Sequence, residues 1–277
     1  VSRSAAGLLL IAALLISGCS VLGFVYNRAD HFALREIERY LPLRPEQREA
    51  TAAALAELHA RHRREQLPLI AAALRRFADA VAQPLSVEDW EGWLQQLEAL
   101  INDSLAPLPA LAAPLIATLD DTQLQDFWDR LAKEREQRRD QRETLSPGKR
   151  AKAVERSLRR WIGRLSPAQQ ARISAWAEAR GPAEEDPAYR AHLAERERAL
   201  RGLLASRREA DFAARLSAFI ESDTVPASTR QRWQTEREAM LGLLSSLSAG
   251  LSPRQRERAQ ARLRAYAEVI ETLAAGA

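Results

Sequence analysis

Apolar side chains recur along this chain every three or four positions, the period of an α-helix packed on one face. The clearest run is C-terminal, where Ala259, Leu263, Tyr266, Ile270 and Leu273 follow a 4-3-4-3 spacing, the narrow stripe of a helix lying along another helix. The runs are cut by a recurring set of letters: Leu145-Ser146-Pro147, Leu165-Ser166-Pro167-Ala168-Gln169 and Leu251-Ser252-Pro253-Arg254-Gln255, with Leu43-Arg44-Pro45-Glu46-Gln47 as a variant. Each spells a helix start. Ser at the N-cap accepts from an orphan amide, Pro at the first helical position gives up a donor that has no partner, and Gln two residues later returns a bond to the cap. Arg44 carries no capping oxygen, so its helix is expected to begin less firmly. The motif intervals are irregular, against a solenoid of equal repeats.

Between these marks the pattern predicts helices over 27–41, 45–67, 68–82, 87–105, 109–118, 121–144, 147–164, 167–180, 187–221, 228–247 and 253–274. Pro68 clashes with the carbonyl four residues earlier and makes the second and third pieces one kinked rod; Pro107, Pro109 and Pro114 interrupt the middle similarly. From Lys133 to Glu143 no residue is apolar, so this stretch has no face to bury and projects into solvent or meets a polar partner. Composition agrees with helices: among 277 residues there are only 8 Val, 10 Ile and 8 Thr, with 11 Gly and 13 Pro, which excludes an all-β or parallel-sheet enzyme fold. The expected fold is all-α, an elongated multi-helix bundle, continuous over 27–277 or divided into subdomains near 27–145 and 146–277.

The first residues read differently. Arg3 precedes a twelve-residue apolar run, Ala5 to Ile16, the layout of a secretory signal peptide. Twelve helical residues reach about 18 Å, short of the roughly 30 Å hydrocarbon core. The run ends in Leu15-Ile16-Ser17-Gly18-Cys19, which resembles the bacterial lipobox: residues 1–18 would be removed, and Cys19 would carry the covalent lipid at the head of a tether over 19–26. Small Ser17 and Gly18 give a signal peptidase access to the bond before the acylated Cys. The alternative is an ordinary Cys in an uncleaved anchor, since Ala5 to Val25 carries no charge. Both readings export the rest of the chain. Ser20 after the Cys points to the outer membrane of a Gram-negative cell, periplasm-facing, with the bilayer as first partner and no nucleic acid among the ligands.

Charge is unevenly spread. The chain nets +4, yet residues 130–164 hold 13 Lys or Arg against 5 Asp or Glu. Lys149, Arg150, Lys152, Arg156, Arg159, Arg160 and Arg164 make a candidate surface for an acidic envelope partner or protein client; a solvated basic face is the plainer reading. His59 and His62 share a helix face with Glu65 and form a weak metal half-site, crowded by Arg61, Arg63 and Arg64. No nucleophile elbow, phosphate-cradling loop or second cysteine is present, so no catalytic residue and no cofactor beyond the lipid is assigned. Glu184-Glu185-Asp186 reads as an exposed loop, and the six tryptophans as core packing. A non-catalytic binding or chaperone-like envelope protein is the leading expectation. A structural or assembly subunit and a metal-dependent enzyme are the alternatives.

With these residues in view, the mature chain resembles the uncharacterised proteobacterial lipoproteins of the domain-of-unknown-function 6279 family. The likeness lies in Cys19, Tyr26-Asn27 to Asp30, His62-Arg63-Arg64-Glu65 through Leu67-Pro68, Leu165-Ser166-Pro167 into Ala175-Trp176-Ala177, and the closing Leu251-Ser252-Pro253 helix. It implies address and architecture, and no activity. A looser analogy is to Spy-type periplasmic chaperones, whose Leu-Thr-x-x-Gln motifs are approached by Leu165-Ser166-x-x-Gln169 and Leu251-Ser252-x-x-Gln255.

Overall fold

The computed structural model describes residues 19–142, 146–181, 186–222 and 224–276. Among them there are helices and no strands: α1 (Cys19–Tyr26), α2 (Ala29–Tyr40), α3 (Pro45–Glu65), α4 (Leu67–Ala80), α5 (Val87–Leu105), α6 (Leu108–Thr118), α7 (Asp121–Arg142), α8 (Pro147–Ile162), α9 (Pro167–Ala179), α10 (Pro187–Ala205), α11 (Phe212–Glu221), α12 (Ala227–Ala249) and α13 (Pro253–Ala274). The helix starts fall where the Leu-Ser-Pro marks place them. Ser166 and Ser252 accept from the amides of Gln169 and Gln255, and each glutamine accepts from its serine's amide. Arg44 has no side-chain cap, as expected, but its amide still donates to Gln47 Oε1 at 2.9 Å. Gln66 keeps αR geometry between α3 and α4, so Pro68 leaves one bent rod. The run Val87–Thr118 is long and apolar enough to cross a membrane by length and composition alone. It includes Pro114 within α6, and Ala113 and Ile116 pack against α11.

The same four helices occur twice. In each half a first helix (α2 or α8) packs on a second (α3 or α9) and on a fourth (α7 or α13), and the second packs on a third (α6 or α12). Two glutamines lock each set. In the first half Gln47 Nε2 donates to Thr118 O at 3.0 Å, Gln123 Nε2 donates to Pro42 O at 2.7 Å, and the two amides lie within hydrogen-bond distance of each other. In the second half Gln169 Nε2 donates to Gly250 O, Gln255 Nε2 donates to Arg164 O at 2.9 Å, and these amides also meet. Pro42 and Arg164 each lie three residues before the helix-opening proline, and Thr118 and Gly250 each five before the second glutamine. Position for position the two locks are equivalent. The irregular motif spacing therefore conceals a duplication.

The core forms three buried clusters. The largest joins Ala78 and Leu85 to Ile162, Leu165, Ile173, Leu247 and Leu263, drawing on both halves. A second gathers Leu22, Leu67, Ala71, Tyr266, Ile270 and Leu273 where α1, α4 and the end of α13 meet. The third surrounds Trp128, Leu204, Phe212 and Leu216. Every residue of the C-terminal 4-3-4-3 stripe is buried, and α13 packs most extensively against α4.

Two expectations are corrected. The helix foreseen over 187–221 is two helices broken at 206–211, where the sequence holds neither Gly nor Pro. The break follows from Arg207, buried at 6% exposure. Its Nε donates to Leu119 O at 2.8 Å, its Nη1 to Leu204 O at 3.1 Å and its Nη2 to Asp121 at 2.7 Å. One guanidinium thereby adds a bond to the Leu204 carbonyl, which also accepts from the Arg207 amide at 3.3 Å, and binds the end of α10 to the start of α7. The tether expected over 19–26 is itself helix α1, held on the bundle through Leu22.

Candidate functional site

Two places gather polar chemistry. The first lies at the α1 end of the bundle, where α1 and α2 meet the last turns of α3. The Tyr26 ring packs tilted against His59 at 4.7 Å between ring centroids, and its hydroxyl lies 2.9 Å from His62 Nδ1. Arg63 donates to Asn27 Oδ1 at 2.7 Å and sits over the Tyr26 ring. Burial pushes the Tyr26 hydroxyl up to about 12, so it stays protonated beside His62 Nδ1. Burial lowers both histidines, with Arg63 adding to the effect on His59 and His59 to that on His62. Both rings are therefore mainly neutral at pH 7. His59 Nε2 and Asp30 Oδ1 are buried without a protein partner. A cavity of about 150 Å³ opens beside His62, lined also by Glu65, Gln66, Asp103 and Ser104.

As a metal half-site the histidine pair is poorly built: a tyrosine hydroxyl occupies one ring nitrogen, and among the described residues no three His, Cys, Asp or Glu groups converge. Tyr26 and Asn27 were read in sequence only as part of a resemblance. Their meeting with His62 and Arg63 across 36 residues has no local signal.

The second place is the basic helix α8. It is strongly two-faced: Ala151 and Ile162 are buried, with Val154, Leu158 and Trp161 packed beside them. Lys149, Lys152, Arg156 and Arg159 recur at 3-4-3 spacing on the exposed side. The candidate cations divide here. Arg150 turns inward and donates to Gly181 O at 2.8 Å, closing the end of α9. Arg159 pairs with Glu155 one turn back at 3.3 Å. Arg160 is half-buried and already engaged. Lys149, Lys152, Arg156 and Arg164 remain exposed.

At its C-terminal end α8 runs into an open groove of about 860 Å³ between the starts of α9 and α13. Its floor includes Ile162, Leu165 and Pro167, and its rim carries Arg164, Arg254 and Arg258 against one carboxylate, Glu257. Gly163 makes the turn with φ of 78°, a left-handed conformation that suits glycine, and a Cβ there would meet Arg258 Cδ at 3.3 Å. The equivalent position in the first half is closed differently: Arg44 stands where Ser166 does, Asp120 where Ser252 does, and the two form an ion pair. Arg254 and Arg258 were missed in sequence because they belong to a helix 90 residues on, whose start is the only local clue. Leu15, Ile16, Ser17 and Gly18, the remainder of the acidic-basic arm beyond 137, and Glu184-Glu185 lie outside the residues and side chains described.

Fold and site together define an all-α bundle with an internal duplication and a one-sided basic surface. The chain belongs to a family of unknown function (DUF6279), whose model matches residues 39–224. That span holds the whole first glutamine lock, the histidine pair and the basic helix. No curated protein and no solved structure matches the chain.

Proposed function

We propose that the protein is a lipid-anchored envelope protein, attached through Cys19 to the periplasmic face of the outer membrane of a Gram-negative cell, and that it binds an acidic protein partner without catalysis. The observation that carries the binding part is the groove at the end of α8, where three arginines rim an apolar floor and the exposed stripe of Lys149, Lys152 and Arg156 leads toward it. An acidic segment bearing a few apolar side chains suits that combination: charge steers and orients it, and the floor takes up the side chains. The anchoring part is supported by the lipobox pattern at Leu15-Ile16-Ser17-Gly18-Cys19. Several acyl chains, at about 0.8 kcal/mol per buried methylene, hold a protein durably where one does not.

Crosslinking the native protein in cells, with a photoreactive residue in place of Arg254, tests the binding site. Capture of a defined acidic partner that disappears on Arg164→Glu supports the reading. Capture insensitive to Arg164→Glu and to high salt overturns it. Cys19→Ala tests the anchor separately, because the altered chain is expected to lose its acyl mass and keep residues 1–18.

A further inference from the structure

The end of the bundle that carries Cys19 exposes the large apolar side chains that a soluble surface usually hides. Phe24 is 55% exposed and Phe32 43%; Val25 adds to them on α1. Phe24, Arg28, Phe32 and Arg35 follow a 4-4-3 spacing and all are exposed. A turn joins the two helices: Asn27 donates to Gly23 O at 2.9 Å, Arg28 to Val25 O at 3.3 Å and, one turn on, Phe32 to Arg28 O at 3.0 Å. Phe24 and Arg28 meet across that turn, with the guanidinium 4.7 Å over the ring.

Exposed aromatic side chains interleaved with cations along an amphipathic segment are the pattern of a chain lying in a membrane interface, rings among the upper acyl chains and cations at the phosphates. Chain length fixes how near the bilayer this face must be. Helix α1 starts at Cys19, so at 1.5 Å per residue Phe24 lies only about 7 Å along the axis from the lipidated position. No loop intervenes to lift the body away, because Leu22 is already buried against α4 and α13.

We infer that this α1–α2 face is a membrane-docking surface, its occupant a phospholipid bilayer and its inserted residues Phe24, Val25 and Phe32, with Arg28 and Arg35 on the headgroup phosphates. The inference rests on acylation of Cys19. The protein is thus seated on the membrane through a second contact besides its acyl chains, and that contact holds the bundle in one orientation.

The test places a polarity-sensitive dye at Phe32→Cys in the full chain, purified from membranes and reconstituted into protein-free phosphatidylethanolamine–phosphatidylglycerol vesicles. Ser228→Cys, exposed on α12 among α5, α9 and α10, serves as the reference. Docking predicts a blue-shifted dye at position 32, quenched several-fold more strongly by spin-labelled lipid than the dye at 228. Intact mass of the same sample reports the acyl group on Cys19. An acylated chain whose dye at 32 is as water-exposed as that at 228 overturns the docking surface and leaves the anchor standing. A blue shift seen in native membranes but lost in the protein-free vesicles assigns the face to a protein and also overturns it. An unacylated chain retaining residues 1–18 overturns the anchor and this inference with it.

Discussion

At the residue scale the glutamines do more than their spacing announces. Gln169 is only 1% exposed, and its single amide serves the Ser166 amide, Gly250 O and Gln255. Truncation takes a partner from three partly buried polar groups at once, each at a cost of about 1 kcal/mol. Gln169→Ala is therefore expected to lower unfolding free energy by roughly 2–4 kcal/mol in denaturant titration, well beyond the loss from a cap alone. Gln170→Ala, next door and half-buried, is the control and stays near the parent. The capping half of this chemistry was legible, because its partner lies three residues away. The locking half was not, because its partners lie 76 and 86 residues away, and Gln123 opens its helix with Asp120 in place of the Ser-Pro pair. The histidines give a second residue-level expectation. Burial keeps His59 and His62 below their ordinary 6.5 in the folded chain, so below that pH the unfolded chain binds protons that the folded chain refuses. Stability is therefore full above about pH 6.5 and falls as pH drops through the depressed folded values. Melting temperatures at pH 7.5, 6.5 and 5.5 read this slope, and His62→Gln flattens it.

At the element scale, helix positions followed from punctuation and period to within a few residues, because caps and apolar stripes are local. The failure at 206–211 marks the limit of local reading. Nothing in Ser206-Arg207-Arg208-Glu209-Ala210-Asp211 forbids a helix; the break is imposed by what Arg207 reaches outside its own segment. Removing it should free the carbonyl of Leu119 and take a side-chain donor from that of Leu204, which keeps the residue-207 amide, while leaving Asp121, whose side chain is 95% exposed, to the solvent. Arg207→Leu is expected to cost roughly 2–3 kcal/mol, whereas Asp121→Ala changes stability by less than about 0.5 kcal/mol. Comparing the two by urea unfolding separates carbonyl capping from ion pairing. Equal losses would assign the junction to the ion pair instead. The same contrast explains the two halves: where Arg44 and Asp120 pair, the first lock is closed by charge, and where Ser166 and Ser252 replace them the second is left open between its arginines.

At the scale of the whole molecule, α13 is the strut that relates the two functional ends. Its final turns, Ile270 and Leu273, pack against α1 beside Cys19, and its first turns carry Arg254 and Arg258 at the groove. From Arg254 to Leu273 a straight helix runs about 28 Å at 1.5 Å per residue. Along α13 the groove therefore lies farther from the α1 end than a Debye length at physiological salt, which is about 8 Å. Anchoring and partner binding are therefore separable, and one pair of variants tells them apart. Lys152→Glu with Arg156→Glu, both at exposed positions on α8, leaves fractionation with the membrane unchanged. The same change weakens binding of a polyglutamate probe by roughly 1–2 kcal/mol, about tenfold in Kd. The difference between parent and variant shrinks as salt is raised, because exposed charges carry it. A variant that binds polyglutamate as tightly as the parent at low salt would remove α8 from the binding surface and leave the groove arginines to act alone.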